Sequence, residues 1–222
     1  MTLSADLFWS FRSPYSYLAT KRYRALADEH DLEIKVCPVY PLAIREPKFF
    51  DKVNSQWISY LRRDCRRIAE YQKLPFAFPR PDPVNMNMMT REISDDQPHI
   101  YWVTRLGVAA NNAGKGLAFI DEMSSMIWGG VENWNSEENL AAAAERAGLD
   151  LSSLRQAIEG NEEVIDAEIA DNQAALEKAG HWGVPTFVFN GEPFFGQDRI
   201  EMALWRMQQK GLKKRYVLPL SR

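Results

Sequence analysis

The most constraining feature of this chain is a strand–helix–strand pattern within its first 39 residues. Strand-forming side chains over residues 3–9 end in a turn-like segment, and Pro14 suits the first position of a helix, where its missing N–H costs nothing. Apolar residues recur at helical spacing to about Glu29, and an alternating strand follows over residues 32–39. Such units almost always have a right-handed crossover. The start of the chain therefore predicts one βαβ unit.

The pattern then changes twice along the chain. From about residue 51 to residue 147 the spacing is helical, and strands return at residues 186–190 and 192–195, joined by a strong Asn-Gly hairpin signal. The predicted helices are residues 14–29, 55–71, 97–113, 116–128, 136–147, 151–159, 162–179 and 198–210. This order predicts an α/β (α+β) protein with a mixed sheet flanked by helices.

This change of pattern also predicts how the chain divides into domains. Residues 1–42 and 162–215 are expected to form the sheet-containing domain. The intervening residues, 43–161, are expected to form an all-helical insertion domain. The last residues, 211–222, are basic and are predicted to be a loosely held tail.

Charge and composition exclude several classes of function. A net charge of -3 over 222 residues argues against a surface for nucleic acid. The densest basic run has helical spacing and is interrupted by Asp64, so we expect a solvated helix face: it comprises Arg62, Arg63, Arg66 and Arg67. No segment approaches the roughly 20 apolar residues of a membrane span. We therefore expect neither nucleic acid nor membrane as a partner.

The cysteine and histidine content predicts a reducing environment without a metal site. Cys37 and Cys65 belong to no metal-binding or redox spacing, and the three histidines have no paired ligand spacing. No secretory signal is recognisable at the first residues. The plain interpretation is a cytoplasmic protein with two free thiols.

Ser13-Pro14-Tyr15-Ser16, at the first strand-to-helix junction, is the first candidate functional segment. A helix N-terminus stabilises an anion, and redox proteins of this topology have Cys-x-x-Cys there. Here both sulfurs are replaced by oxygen, so Ser13 cannot exchange disulfides. Its hydroxyl can donate a hydrogen bond to a thiolate of another molecule; the alternative is that Ser13 only caps the helix.

Two further segments lie at edges of the predicted sheet. Pro185 enters the third strand, and a cis bond there would present the backbone of Val184 to an extended peptide, although proline at a strand start also has an ordinary structural use. Gln197 and Asp198 open the last predicted helix. They either cap that helix or hold an ammonium and a carboxylate of a ligand, and Arg199 is expected to pair with a nearby carboxylate.

Taken together, these segments resemble a known family. The matching stretches are Phe11–Ala19, Gly183–Phe187 and Phe195–Arg199. They resemble the 2-hydroxychromene-2-carboxylate isomerase family and the neighbouring kappa-class glutathione transferases, within the DsbA-like thioredoxin superfamily. The resemblance spans about residues 3–208. It implies a thioredoxin-like domain with a helical insertion, glutathione as cofactor, a small aromatic or conjugated substrate, and a homodimer.

The resemblance also implies roles for individual residues. Ser13 would activate the glutathione thiol. The cysteinyl backbone of glutathione would lie against Val184, before a cis-Pro185. The γ-glutamyl end would lie at Gln197 and Asp198.

Four activities remain open from the sequence. A glutathione-dependent isomerase is favoured, with a kappa-class-like transferase or a non-catalytic glutathione- or peptide-binding protein as alternatives. A thiol oxidoreductase is opposed by the missing Cys-x-x-Cys. The choice depends on a pocket over Ser13, for which Tyr15, Trp128 and Trp182 are candidate walls. One departure from the family pattern is Ser10, where many relatives have an acidic residue.

Overall fold

A computed structural model describes residues 2–49, 53–87, 90 and 92–215. The strands are β1 (Leu3–Trp9), β2 (Leu32–Pro38), β3 (Thr186–Phe189) and β4 (Glu192–Phe195). The helices are α1 (Pro14–Glu29), α2 (Leu42–Arg45), α3 (Ser55–Gln72), α4 (Ile100–Asn112), α5 (Gly116–Trp128), α6 (Glu137–Arg146), α7 (Leu151–Ile158), α8 (Glu162–Lys178) and α9 (Ile200–Gln208).

The four strands form one mixed sheet in the order β2-β1-β3-β4. β1 is parallel to β2 and antiparallel to β3, and β3 is antiparallel to β4. At the hairpin between β3 and β4, Asn190 has φ 51° and Gly191 has φ 79°. A tight hairpin turn needs left-handed backbone at both central positions, which Asn and Gly tolerate. The predicted βαβ unit, the hairpin and the α/β class are therefore confirmed.

The predicted helices are present, but two begin later than their patterns indicate. The helix expected from Gln97 begins at Ile100, because the Gln97 side chain binds the preceding loop: its Nε2 donates to Asn85 O at 2.8 Å and to Ser94 O at 2.7 Å. The helix expected from Asp198 begins at Ile200. The predicted capping of that helix by Gln197 or Asp198 is wrong, because Arg199 occupies the cap position without a side-chain hydrogen bond. The four-residue α2 was not predicted.

The core joins the sheet to the helical block at the end of β1. Trp9 and Phe11 are fully buried, and their rings meet edge to face with centroids 4.6 Å apart. Phe11 also contacts Phe119 of α5, with ring centroids 6.3 Å apart. Aromatic pairs in this arrangement stabilise a core beyond their buried area. These aromatic contacts hold the chain rigidly just before Ser13. The division of the chain into two domains stays a prediction.

The chain beyond α9 is better held than a loose tail. Asp31 N donates to Lys213 O at 2.9 Å, and Arg215 N donates to Glu29 O at 2.8 Å, so residues 211–215 lie against the start of β2. Residues 216–222, the rest of the predicted tail, lie outside the described residues. Across the described part of the chain, no helix combines the length and apolar character needed to cross a membrane.

We predict that Gly107→Ala destabilises the fold. A Cβ at Gly107 of α4 would lie 2.8 Å from Cε2 of Phe11, whose ring is confined by Trp9 and Phe119. Overpacking costs about 1–3 kcal/mol, while the gain in helix propensity is about 0.8–1.0 kcal/mol. We expect a net loss of about 1 kcal/mol in the free energy of unfolding, measured in urea.

The matched background for this prediction is Phe11→Leu, which shortens the ring side chain that the new methyl group meets. In that background Gly107→Ala should cost less than in the parent chain. An equal cost in both backgrounds would show that contact with Phe11 is not the cause.

Candidate active site

Ser13 lies at the N-terminus of α1, where the fold concentrates unpaired backbone N–H groups. Its backbone is extended, with φ -97° and ψ 112°, and its Oγ accepts a hydrogen bond from Ser16 N at 3.2 Å. Pro14 follows at the first helical position, as predicted. The helix-cap interpretation of Ser13 is therefore correct. Capping uses only an oxygen lone pair, so the hydroxyl proton remains available for a second partner.

That second partner is the backbone of the segment that enters β3. Ser13 Oγ donates to Val184 O at 3.2 Å, across 171 positions of sequence. The Val184–Pro185 peptide bond is cis, as predicted. Gly196 N donates to Pro185 O at 2.9 Å, and Thr186 Oγ1 donates to Gly183 O at 2.7 Å. The structure thus places Ser13 directly against Val184 and braces the loop from both sides.

A cavity of about 1230 Å³ opens over this junction. Ser13 and Val184 both line it. All three predicted walls, Tyr15, Trp128 and Trp182, line it as well, although Trp182 is 45% exposed. A cavity of this size exceeds the usual range for a single small ligand. It has room for a peptide and a second molecule together.

One wall of the cavity is aromatic and is held by backbone contacts: Phe78 and Trp128 line it, and Phe76 packs behind them. Phe76 stacks on Trp128 with ring centroids 6.0 Å apart, and Phe78 meets Trp128 edge-on at 6.3 Å. The Trp128 Nε1–H donates to Phe11 O at 3.0 Å, and Ala77 N donates to Trp128 O at 2.7 Å. The proline-rich loop, residues 74–84, is therefore fixed against the end of β1. It presents a flat apolar surface beside Ser13.

Arg12, the residue before Ser13, forms a two-pronged ion pair with Asp82. Its Nε and Nη2 donate to the two carboxylate oxygens at 2.7 and 3.0 Å. Asp82 Oδ1 also accepts from Val84 N at 2.9 Å. Paired donors of this kind fix orientation as well as charge. The pair ties the proline-rich loop to the N-terminus of α1 and neutralises both side chains within the cavity wall.

Tyr15, which lines the cavity, forms a second polar contact with Asp64, which does not line it. Tyr15 Oη donates to Asp64 Oδ2 at 2.9 Å, and Asp64 also accepts from Arg67. Burial, reinforced by the bond to Asp64, raises the pKa of Tyr15 well above its ordinary value. Burial opposes the charged form of Asp64, but hydrogen bonds from Arg67 and Tyr15 outweigh it and lower the pKa of Asp64. Tyr15 is therefore a neutral phenol committed to Asp64.

The loop before β3 is anchored from α2 by Arg45. Its Nη2 donates to Trp182 O at 2.8 Å and its Nε donates to Tyr40 O at 2.7 Å. Desolvation lowers the pKa of Arg45, yet the side chain keeps both carbonyl partners. Sequence reasoning missed this residue because its partner Trp182 lies 137 positions away. Arg45 thereby restrains the backbone two residues before Val184.

Gln197 and Asp198 lie on the turn after β4, next to Gly196, rather than on the cavity wall. Asp198 is exposed and pairs with Arg199 at 2.6 Å, the kind of pairing expected for that arginine. Arg22 of α1 donates to Gln197 O at 2.5 Å. Because Gly196 binds Pro185, this turn is tied to the same segment as Val184. The structure brings Ser13, Val184 and Pro185 together, with Gln197 and Asp198 on the adjoining turn.

The predicted solvated helix face is confirmed, because Arg62, Arg63, Arg66 and Arg67 are all exposed. Arg62 and Arg66 line the cavity, whereas Arg63 does not. The i, i+4 spacing of Arg62 and Arg66 puts both on one side of α3, and this spacing was the available signal. Which side faces the cavity depends on how α3 packs, so the pattern alone could not decide it.

The donors around Ser13 suit an anionic sulfur carried by a peptide. The helix end supplies partial positive charge and the Ser13 hydroxyl supplies a proton. Ser10 Oγ, also on the cavity wall, is buried and has no hydrogen-bond partner among the described residues. The backbone of Val184 offers a strand-like edge to a short extended chain. These features fit glutathione, which unites a thiol with two peptide bonds.

This fold and this junction are those of a thioredoxin-like protein. The chain matches the DSBA-like thioredoxin domain family over residues 5–208 and belongs to that family. Among curated proteins it is 27% identical over 203 residues to a 2-hydroxychromene-2-carboxylate isomerase from Pseudomonas putida, covering 89% of this chain and 90% of the relative. A second isomerase of that name, from Pseudomonas sp. (strain C18), is 25% identical and covers 89% and 86%.

Solved structures agree on the fold. A 2-hydroxychromene-2-carboxylate isomerase structure has a TM-score of 0.67 at 22% identity, covering 94% of this chain and 96% of that one. A probable DsbA oxidoreductase from Streptomyces coelicolor has a TM-score of 0.65 at 16% identity, covering 99% and 94%. The cytosolic disulfide reductase DsbM from Pseudomonas aeruginosa has a TM-score of 0.60 at 16% identity, covering 94% and 99%. One fold therefore serves both isomerase and redox proteins.

We predict a pH-dependent role for Asp64 in stability. A carboxyl whose pKa is lower in the folded state adds stability only above its unfolded pKa, and that contribution is lost as pH falls through the folded value. Asp64→Asn should therefore cost about 1 kcal/mol near neutral pH and progressively less below about pH 4. Urea unfolding at several pH values measures the difference.

Asp28→Asn is the matched control, because Asp28 is an exposed helical carboxylate without an ion pair among the described residues. It should change stability little at any pH. If Asp64→Asn costs the same in acid as at neutral pH, the charge of Asp64 contributes nothing.

Proposed function

We propose that this chain is a glutathione-dependent cis-trans isomerase of the 2-hydroxychromene-2-carboxylate isomerase type, acting on a small conjugated aromatic substrate. The observation that supports it most is the position of Ser13, at a helix N-terminus, against Val184, on the wall of a large cavity. Curated relatives with the isomerase name align across 89% of this chain. The resemblance further suggests a cytoplasmic homodimer.

Two features favour a glutathione-dependent catalyst over a thiol oxidoreductase or a protein that only binds glutathione, and the names of the curated relatives favour the isomerase over a transferase. Serine in place of Cys-x-x-Cys removes the sulfur pair that disulfide exchange requires. A cavity of about 1230 Å³ leaves space beside a bound peptide, whereas a protein that only binds glutathione needs no second pocket. When bound, glutathione would supply a thiolate that adds reversibly to a conjugated carbon, permits bond rotation and leaves again.

The task of Ser13 and α1 is to stabilise that thiolate. A free thiol of pKa about 8.5 is only about 3% ionised at pH 7. Lowering the pKa by about two units requires roughly 2.7 kcal/mol of preferential stabilisation. The end of a helix provides about 0.3–1 kcal/mol, and a hydrogen bond to a charged group about 1.5–3 kcal/mol. The Ser13 hydroxyl is therefore the larger contributor, acting as a donor and not as a nucleophile.

The single proton of Ser13 already has an acceptor, Val184 O. A peptide N–H that docks on Val184 O competes for the same carbonyl. The hydroxyl can then turn its proton toward the cavity while its oxygen keeps the bond from Ser16 N. Docking of the peptide backbone and activation of the thiol are coupled in this way through one hydrogen bond.

Gln197 and Asp198 are proposed to hold the γ-glutamyl end of glutathione. Asp198 would exchange its exposed partner Arg199 for the ligand ammonium, and exposed ion pairs of this kind are weak enough to exchange. Gln197 keeps its place through Arg22, which binds its backbone carbonyl. The turn that carries both residues is tied to Pro185 through Gly196, so they lie beside the segment where the peptide is proposed to dock.

We predict that Ser13→Ala raises the pKa of bound glutathione by about one to two units, because the hydrogen bond to the charged sulfur is lost. Because the pKa of the free thiol is unchanged, linkage lowers glutathione affinity about three- to fourfold at pH 7 and little below about pH 6. The pKa follows from the ultraviolet absorbance of the thiolate as pH is varied, and the affinity from calorimetry. Turnover at neutral pH should fall with the thiolate fraction.

Two variants serve as controls for Ser13→Ala. Ser59→Ala removes another hydroxyl that lines the cavity and should leave the thiol pKa unchanged. Asp198→Ala should weaken glutathione binding at every pH and leave the pKa of the bound thiol unchanged. An unchanged pKa in Ser13→Ala would reduce Ser13 to a helix cap.

The coupling through Val184 makes a separate prediction. A glutathione analogue methylated at the cysteinyl amide nitrogen cannot donate to Val184 O, so Ser13 keeps its proton on that carbonyl. At saturation its bound thiol pKa should stay about one unit or more above that of bound glutathione. Equal pKa values for the two bound thiols would contradict the proposed coupling through Val184 O. They would still be compatible with Ser13 as the hydrogen-bond donor that activates the thiol.

A further inference from the structure

The cavity over Ser13 is positively charged, although the chain as a whole is negative. Its lining contains a single carboxylate, Asp82, and four arginines: Arg12, Arg62, Arg66 and Arg80. Arg12 neutralises Asp82. The other three make no ion pair with any described residue. An acidic protein that concentrates unpaired guanidinium groups in one cavity favours an anionic occupant.

Two of these arginines converge on one aromatic ring. The guanidinium carbon of Arg62 lies 6.0 Å from the centroid of the Phe78 ring, and that of Arg66 lies 5.5 Å from it. Like charges four residues apart on a helix repel each other, and neither arginine forms an ion pair among the described residues. Cation–π attraction to the Phe78 ring offsets part of the repulsion between the two guanidinium groups. An anion held between the two groups would compensate further.

The ring between them belongs to the aromatic wall described above. Phe78 meets Trp128 edge-on, and Phe76 stacks against the same indole. Phe78 is 36% exposed, so its ring remains open to a ligand. A flat conjugated molecule can lie along this wall while its charged end reaches Arg62 and Arg66. Guanidinium groups suit a planar carboxylate because their donors match both of its oxygens.

We propose that Arg62 and Arg66, with Phe78 between them, bind the carboxylate of a flat conjugated substrate and so determine specificity in this cavity. The proposal deepens the proposed function, because it assigns residues to the substrate rather than to glutathione. It orients the substrate, with the charged end at α3 and the conjugated carbons toward Ser13. Arg80, which also lines the cavity, adds long-range attraction.

The test uses two probes of the same shape and different charge, trans-cinnamate and trans-cinnamamide, titrated by calorimetry without glutathione. The parent protein should bind the acid about five- to tenfold more tightly than the amide. Arg62→Gln and Arg66→Gln should each weaken cinnamate binding about three- to fivefold, and leave cinnamamide binding within about twofold. Raising the salt concentration from about 0.05 to 0.5 M should weaken only cinnamate.

Arg63→Gln is the matched control, since Arg63 lies on the same helix and does not line the cavity. It should leave both probes unaffected, and unchanged thermal unfolding of all three variants shows that each one folds. Inorganic phosphate at the same concentration should compete weakly, because it cannot use the aromatic wall.

Several results would overturn the proposal. These are equal affinity for acid and amide, a loss in Arg63→Gln as large as in Arg66→Gln, complete displacement by phosphate, or no measurable binding of cinnamate. Because glutathione is absent from these titrations, such failures would leave the role of Ser13 intact. Conversely, failure of the thiol measurements would leave the carboxylate site standing.

Discussion

The hydrogen bond from Ser13 to Val184 O is the contact on which the rest of the site depends. It joins the N-terminus of α1 to the segment before β3, and these segments are 171 positions apart in the sequence. Around it the fold adds Gly196 N to Pro185 O on one side and Arg45 to Trp182 O on the other. A buried core of Trp9 and Phe11 keeps the end of β1 in register with this junction. Backbone hydrogen bonds make the junction rigid, and the Ser13 hydroxyl can still change its hydrogen-bond partner.

That arrangement explains how one fold can serve both redox and non-redox chemistry. The helix end favours a negative charge whether the sulfur belongs to the protein or to a bound peptide. With serine at the junction, the protein can position a donor but cannot form a disulfide. Any sulfur chemistry must then come from a ligand, and the cavity supplies the room for it. The contrast between an acidic chain and an arginine-lined cavity adds a preference for anions.

Much of the fold could be predicted because its signals are local. Pro14 at the first helical position, Ser136 capping α6 and the Asn190-Gly191 turn each depend on a few adjacent residues. The starts of α4 and α9 were misplaced because distant partners hold Gln97 and Gly196 in place of a further helical turn. Arg62 and Arg66 were correctly assigned to solvent, but the cavity that they border was not predicted. A helical pattern defines a face, but it does not identify what lies opposite.

The sequence by itself determined the order of elements, the mixed sheet and the presence at a helix N-terminus of Ser13, whose hydroxyl can donate a hydrogen bond. These follow from side-chain period, turn chemistry and the atoms present. Only the tertiary structure decided that Ser13 donates a hydrogen bond to Val184 O and that Arg12 forms an ion pair with Asp82. It also decided that Arg62 and Arg66 lie over the ring of Phe78. The reason is physical. Charge pairing and cavity shape depend on distances between segments far apart in the chain, which packing of the whole molecule sets and no local pattern encodes.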